Sequence, residues 1–345
     1  MENKSELLIK SSDTISNAIN KLKTSFLRTL IIIENKKVIG VFTEGDFRKV
    51  VLKGLDINKP VKNFINKGYK FLNENYDKKK VINILKKNEK IHVLPVLNKD
   101  KILLDIVTRN DIFKKKYTKI NNTSVVIMAG GKGTRMQPFT QILPKPLLPL
   151  GNKTLLDKLV QQFSSAGFNS FFITLNSKKN IIKSYIKDNL KKFKIKTIVE
   201  NEYLGTIGSL RLIDKNLSNF FFVTNCDILV DANFEDIMEQ HIRSKSDLTI
   251  ISSFKSFQIP YGVFRISKSG NLLNFKEKPS FNHLVNCGVY LMNKKLIKYI
   301  PKNKACDIDE LLKILIKNKK KIKIYPIPGY AWQDFGAWKE YFKNA

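Results

Sequence analysis

The chain has 345 residues, 43% hydrophobic and 27% charged, a composition that fits a soluble globular protein of about two domains. No apolar run approaches the ~20 residues of a membrane span, and the N-terminus, MENKSELLIK, has no signal-peptide core, so a cytoplasmic protein without membrane partners is expected. The net charge is +32, yet only seven of the 62 basic residues are Arg, and no Arg-rich arm or basic helix with interleaved aromatics occurs. This reads as a solvated lysine-rich surface that attracts phosphorylated substrates, not as a nucleic-acid interface. Three cysteines, Cys226, Cys287 and Cys306, are too few and too scattered for a disulfide framework or a zinc knot and are expected to be free thiols.

The N-terminal part contains an internal repeat. Residues 29–46 read TLIIIENKKVIGVFTEGD and residues 94–111 read LPVLNKDKILLDIVTRND. Each has a strand, a polar turn, a second strand and then Thr-x-x-Asp. Thr43 and Thr108 are 65 residues apart, as are Asp46 and Asp111. Helical patterns at 15–22 and 80–87 precede the two units, and a further helix is expected after each Asp. Such fixed-period similarity marks tandem structural units. Each Asp is open to two readings, a cap of the following helix or a group that faces a ligand. A lysine-rich stretch at 114–123 reads as a linker.

The C-terminal part alternates strands and helices, as an α/β fold requires. A strand at 124–128 runs into Ala129-Gly130-Gly131-Lys132-Gly133-Thr134-Arg135. Glycines let backbone N–H groups approach an anion closely, and the cations neutralise it. The spacing excludes a Walker loop, and Met136 stands where a dinucleotide fingerprint needs a third Gly or Ala. Pro138, Pro144, Pro146 and Pro149 argue against an immediate long helix, so an extended lid over a nucleoside triphosphate is expected, with Lys145 held between two prolines. A helix at 155–166, a strand at 170–175, a helix at 181–190 and strands at 194–200 and 220–224 follow. The last ends at Asn225-Cys226-Asp227, where the C-terminal edge of an open sheet places ligands. Asp227 there is either a turn former or a divalent-metal ligand, and Asp334, in Trp332-Gln333-Asp334-Phe335-Gly336, offers a second carboxylate.

At the two Thr-x-x-Asp units, residues 5–117 resemble a tandem pair of CBS domains. The resemblance implies a regulatory or oligomerising module over residues 1–118, with clefts for adenosine-type ligands. Asp46 and Asp111 would face ribose hydroxyls, and Thr43 and Thr108 phosphate. A regulatory nucleotide or pathway product is the implied ligand, and a homo-oligomer the implied assembly. Asp105 stands where the first unit has Gly40, a departure that bears on the second cleft.

The segments AGGKGTRMQPFT, LPKPLLPL, LGTIGSL, NCDIL, YGVF, FKEKP, VNCGVYLM and WQDFG, in that order, resemble the sugar-1-phosphate nucleotidylyltransferases. The resemblance covers residues 122–345 and implies a Rossmann-like mixed-sheet domain with Mg²⁺ as cofactor. It implies nucleotide contacts from Ala129, Gly130, Gly131, Gly133, Thr134, Arg135, Lys145, Gly205 and Thr206. Arg135, Lys145 and Asp227 would be catalytic, and Asp227 with Asp334 would hold the metal. Gly262, Glu277, Lys278 and Asn286 would line the sugar-phosphate pocket. Cys226 departs from the family, which usually has Gly there. The LGTIGSL loop looks more like guanylyltransferases than thymidylyltransferases. The fused layout resembles that of glucosamine-1-phosphate guanylyltransferases of legionaminic acid biosynthesis, which implies GTP and glucosamine 1-phosphate as substrates. Mannose or heptose 1-phosphate as acceptor, UTP or CTP as donor, and a nucleotide-sensing protein with an inactive transferase half stay open.

Overall fold

The computed structural model describes residues 4–25, 27–88, 90–112, 123–213 and 216–344. The chain divides into two compact units, 1–116 and 117–345. The expected linker at 114–123 lies outside the described residues, apart from Thr123.

The C-terminal unit is built on a seven-stranded mixed sheet. Its strands are β1 (Ser124–Met128), β2 (Ser170–Leu175), β3 (Lys194–Val199), β4 (Phe220–Asn225), β5 (Leu248–Gln258), β6 (Ser280–Asn293) and β7 (Ile322–Ile327). The order across the sheet is β3-β2-β1-β4-β6-β5-β7. β6 runs antiparallel to both its neighbours, and the other adjacent pairs are parallel. Strands covered on both faces need unbroken apolar runs, and SVVIM, SFFITL and FFFVTN supply them. Alternate side chains feed two cores. Val125, Ile127, Phe171, Ile173 and Phe222 pack with helices α1 (Leu155–Ser165), α2 (Lys179–Asn189) and α3 (Phe234–Arg243). Val126, Met128, Phe172, Phe221 and Val223 pack with α4 (Ile308–Lys317) and the turn Leu210–Ile213. Thr154 and Asp157 close a capping box that starts α1 immediately after the proline-rich segment.

β5 and β6 continue beyond the core, where Phe257, Phe281 and Leu284 are exposed, and a two-stranded hairpin, Val263–Ile266 with Leu272–Lys276, joins them. Sequence periodicity does not announce this hairpin, because its apolar residues face solvent on both sides.

In the N-terminal unit the repeat takes the same form twice. Leu8–Lys10 lies parallel to Thr29–Glu34, which pairs antiparallel with Lys37–Thr43. Leu72–Asn73 lies parallel to Val93–Leu97, which pairs antiparallel with Leu103–Thr108. Helices Ile15–Thr24 and Lys78–Lys87 fill the matching positions, and Glu44–Leu52 and Arg109–Ile112 follow the two Thr-x-x-Asp units. Leu7, Ile31, Val38 and Val41 of the first repeat share one apolar cluster with Val93, Leu97 and Ile106 of the second. The contrast between Gly40 and Asp105 has a steric cause. A Cβ at Gly40 would meet Ile65 Cδ1 at 2.8 Å, whereas Asp105 is on an exposed stretch of its strand. No described helix is long and apolar enough to cross a membrane.

Candidate active site

β1 delivers the glycine loop at its C-terminal end. The Ala129 N–H donates to the Thr174 carbonyl at 3.1 Å, which continues the ladder to β2. A Cβ at Gly130 would sit 2.7 Å from Glu200 Oε1, so only glycine lets the chain pass there. Gly131 faces open space. Gly133 has φ 68°, and the Thr140 hydroxyl donates to its carbonyl at 2.8 Å. This folds the loop back until Lys145 Cβ lies 3.3 Å from where a Gly133 side chain would begin. The following segment is not the extended lid expected from its prolines. It is a series of short helical turns, Thr134–Met136, Phe139–Ile142 and Lys145–Leu147. Proline bars a long helix but not single turns: Thr134–Met136 ends before Pro138, Phe139–Ile142 lies between Pro138 and Pro144, and Lys145–Leu147 takes Pro146 at its start, each closing on its own hydrogen bond, such as Leu143 N–H to the Phe139 carbonyl at 2.9 Å.

Asp227 and Asp334 are neighbours because of a short two-stranded ladder. Ile228–Val230 pairs antiparallel with Trp332–Asp334, with Ile228 opposite Asp334. The Phe335 N–H then donates to the Asp227 carbonyl at 2.9 Å. Lys145 Nζ donates to Asp227 Oδ2, and the two side chains are only 11% and 10% exposed. Gly336 marks the centre of the cluster. A Cβ there would meet Asp334 Oδ1 at 2.8 Å, Arg135 at 3.1 Å and Asp227 Oδ2 at 3.1 Å. Its carbonyl accepts from Lys145 Nζ at 3.5 Å, and its N–H donates to Asp334 Oδ1 at 2.6 Å. Four residues proposed from sequence, Arg135, Lys145, Asp227 and Asp334, thus meet around one glycine. Burial pushes the Asp334 carboxyl above its ordinary value; the Gly336 N–H opposes this, Asp227 adds to it, and Lys145 and Arg135 work against it. Cys226 packs its side chain against the apolar core, so the thiol leaves the ladder intact, and burial pushes it up to about 12.

Gly205 has φ 77°, and its Cβ would strike the Cys306 carbonyl at 2.7 Å. The Thr206 N–H donates to Asp307 Oδ1 at 2.7 Å, and the Thr206 hydroxyl accepts from the Ile308 N–H at 3.1 Å. The loop is thereby stapled to the start of α4. Glu200, at the end of β3, was not singled out from sequence. It is 2% exposed, accepts from the Leu204 N–H at 3.3 Å and supports both this loop and Gly130. Burial raises its carboxyl, with the Leu204 N–H and the hydroxyls of Ser209 and Thr174 opposing. Its sequence signal was the one that flagged Asp227, a carboxylate at the C-terminal end of a strand.

The residues expected to hold a sugar phosphate lie along the β5–β6 extension. Gly262 passes close to Glu277, whose Oε2 would be 3.1 Å from a Cβ at 262. Lys278 has φ 43° and its Nζ is 4.0 Å from Glu277 Oε1, with both side chains 59% exposed. Asn286 Nδ2 donates to the Tyr290 hydroxyl at 2.7 Å, and Asn286 Oδ1 accepts from the Gly288 N–H at 3.0 Å. Gly288, at φ 74°, would place a Cβ 2.7 Å from Asn225 Nδ2. β6 thus runs from the Asp227 loop out to the Glu277-Lys278 turn.

In the N-terminal unit, both Asp residues cap helices. Asp46 Oδ2 accepts from the Thr43 N–H at 3.2 Å and hydroxyl at 2.8 Å, while Lys49 Nζ reaches Asp46 Oδ1 at 3.0 Å. Asp111 Oδ2 accepts from the Thr108 N–H at 2.7 Å, and the Thr108 hydroxyl accepts from the Asp111 N–H at 3.2 Å. Both are reciprocal boxes of the kind that fix a helix start.

Residues 124–345 match the family described as nucleotidyl transferase, and residues 3–53 and 61–117 match the CBS domain. A mannose-1-phosphate guanyltransferase of Pichia angusta is 30% identical over 228 residues, which cover 64% of this chain and 62% of that protein. One of Schizosaccharomyces pombe is 30% identical over 225 residues, 63% of this chain and 61% of that protein. This chain therefore spans a little over three fifths of the length of the curated relatives it matches. The crystal structure of HddC from Yersinia pseudotuberculosis aligns with TM-score 0.51 at 28% identity, over 64% of this chain and 97% of that one, and so does its complex with GMP-PN. The chain belongs to the nucleotidyl transferase family and carries a pair of CBS domains ahead of its nucleotidyl transferase domain.

Proposed function

We propose that this chain transfers a guanylyl group from GTP to a sugar 1-phosphate, releasing pyrophosphate and forming a GDP-sugar. The observation that carries this reading is the convergence of Arg135, Lys145, Asp227 and Asp334 on Gly336, beside a glycine loop open at Gly131. An oxygen of the acceptor phosphate attacks the α-phosphorus. The bond from that phosphorus to the bridging oxygen breaks, and pyrophosphate keeps the electron pair. A phosphate monoester is already nucleophilic, so the chain need not supply a general base. Its task is to bring two anions together and to neutralise the charge that builds on the leaving group. Lys145 is set to serve the α-phosphate and the acceptor phosphate, and Arg135 the departing pyrophosphate. The base would lie along Gly205 and Thr206, and Glu277 and Lys278 would meet a sugar hydroxyl and the acceptor phosphate.

Asp227 and Asp334 fit a hard divalent cation such as Mg²⁺. They are adjacent oxygen donors, and the raised Asp334 carboxyl is in part a response to Asp227, a repulsion that a cation relieves. Among the described residues no cluster of three or more His, Cys, Asp or Glu could hold a metal, which suits an ion that takes one or two carboxylates and completes its shell with phosphate oxygens and water. When bound, Mg²⁺ would neutralise phosphate oxygens and favour displacement at phosphorus.

The relatives' names support GTP as donor and mannose 1-phosphate as acceptor. The fusion to a CBS pair favours glucosamine 1-phosphate and a role in legionaminic acid biosynthesis, and we place that acceptor first. An adenine nucleotide or a pathway product at the CBS pair would regulate turnover.

Pyrophosphate release measured for four triphosphates against a panel of sugar 1-phosphates tests donor and acceptor together. GTP with glucosamine 1-phosphate is the expected best pair. A best rate with mannose 1-phosphate would move the acceptor, and no release from any pair would overturn the reading. Arg135→Ala and Lys145→Ala are each expected to lower kcat by ~10²–10³ while the protein stays folded.

Asp334 also gives a stability test. Its folded-state carboxyl is raised, so its charge costs stability above the unfolded value of about 4, and the cost disappears below it. Asp334→Asn is therefore expected to raise the melting midpoint at pH 7 in chelator-treated buffer. The gain should shrink as pH falls through the carboxylate range. A lower midpoint at pH 7 would contradict the arrangement.

A further inference from the structure

The segment that supplies Asp334 and the Gly336 carbonyl also grips the cation-bearing loop at two points. α5 (Trp338–Asn344) begins two residues after Gly336. The Trp338 indole N–H donates to the Gln137 carbonyl at 2.9 Å, two residues past Arg135. The Trp338 ring meets Phe139 edge-on, with centroids 4.9 Å apart. The Tyr341 hydroxyl donates to the Pro149 carbonyl, four residues past Lys145. The stretch between these two anchor points holds the last two of the three single turns described above, and in it Phe139 and Ile142 are 59% and 81% exposed. Beneath it, Met136, Leu148, Leu150 and Leu155 form one apolar cluster with Phe335 and Tyr341.

The division of labour follows from the physics of the contacts. The apolar cluster supplies burial, which is non-directional. The two hydrogen bonds supply direction, because each requires a donor at a set distance and angle. They land on backbone carbonyls on either side of Lys145, and they issue from the chain that holds the carboxylate partner. We infer that Trp338 and Tyr341 are positioning residues. They buckle the Arg135–Lys145 loop onto the Asp227–Asp334 pair and so set the spacing between cations and carboxylates for the displacement at phosphorus. This inference rests on the nucleotidyl-transfer reading above.

The test uses Trp338→Phe, Tyr341→Phe and the double substitution in the full chain, with wild type as reference. Each single change is expected to lower kcat about 3- to 10-fold and the pair roughly 10- to 100-fold, as small misplacements do, with KM for GTP within about threefold. Phe139→Leu, at an exposed position with little risk to folding, should lower kcat in the same direction. On a Lys145→Ala background the double substitution should cost less than about twofold more, because the cation it positions is gone. Amide hydrogen exchange across residues 134–148 reads the same role without turnover and should quicken in the variants. Wild-type kcat in the folded double variant, a loss confined to KM, full additivity with Lys145→Ala, or unchanged exchange would each overturn the inference. Should the double variant not fold, Tyr341→Phe and Phe139→Leu decide by the same criteria. A wild-type protein inactive on every substrate pair overturns the functional reading instead, and the exchange experiment still judges the buckle.

Discussion

The contact on which the C-terminal unit turns is the ion pair between Lys145 and Asp227. Both side chains are about nine-tenths buried, and a buried pair is a poor source of stability because desolvation offsets the attraction. Its value lies in holding two charges where neither would sit alone. Lys145 needs Asp227 to remain in a pocket with little water, and Asp227 needs Lys145 because Asp334 adds a second negative charge beside it. The pair is held together from several sides. β4 ends at Asn225 and turns, the Ile228–Asp334 ladder brings in the distant C-terminal segment, and Gly336 leaves room for all four groups. Removing either partner would leave a buried charge uncompensated.

Glycine does the remaining construction by omission. At Gly130, Gly205, Gly288 and Gly336 any side chain would collide with Glu200, the Cys306 backbone, Asn225 and the carboxylate cluster respectively. Gly205 and Gly288 also have left-handed backbones that favour glycine. Close approach therefore accounts for these glycines where flexibility would not. The same logic separates the two N-terminal repeats, since Gly40 is pressed against the loop at Ile65 and Asp105 is not.

Much of this was legible in the sequence. The strands β1, β2 and β4 stand where the sequence places them. The period of 65 residues located both Thr-x-x-Asp units. The glycine loop, Arg135, Lys145 and the two carboxylates Asp227 and Asp334 are all readable from motif and spacing. What stayed hidden has physical reasons. The single turns of the proline-rich segment lie below the length at which periodicity can be read. The exposed hairpin has no buried face to generate a pattern. Glu200 carries the same signal as Asp227, a carboxylate at the end of a strand, but its burial and its bond to the Leu204 N–H exist only in the fold. The contacts of Trp338 and Tyr341 with Gln137 and Pro149 span 201 and 192 residues, and nothing local records them. For the repeat, sequence left a cap and a ligand contact as equal readings of each Asp, and the geometry shows that both residues cap the helices that follow them.

The central claim is that Lys145 and Asp227 hold each other until a triphosphate with its cation takes both. Isothermal titration of GTP into wild type and Asp227→Asn, each with and without Mg²⁺, tests it most directly. In wild type, Mg²⁺ should tighten GTP binding by about tenfold or more, the order of a single charge-assisted contact. In Asp227→Asn that gain should vanish, while GTP alone should bind more tightly than to wild type because Lys145 is released. An equal Mg²⁺ effect in both proteins would contradict the account.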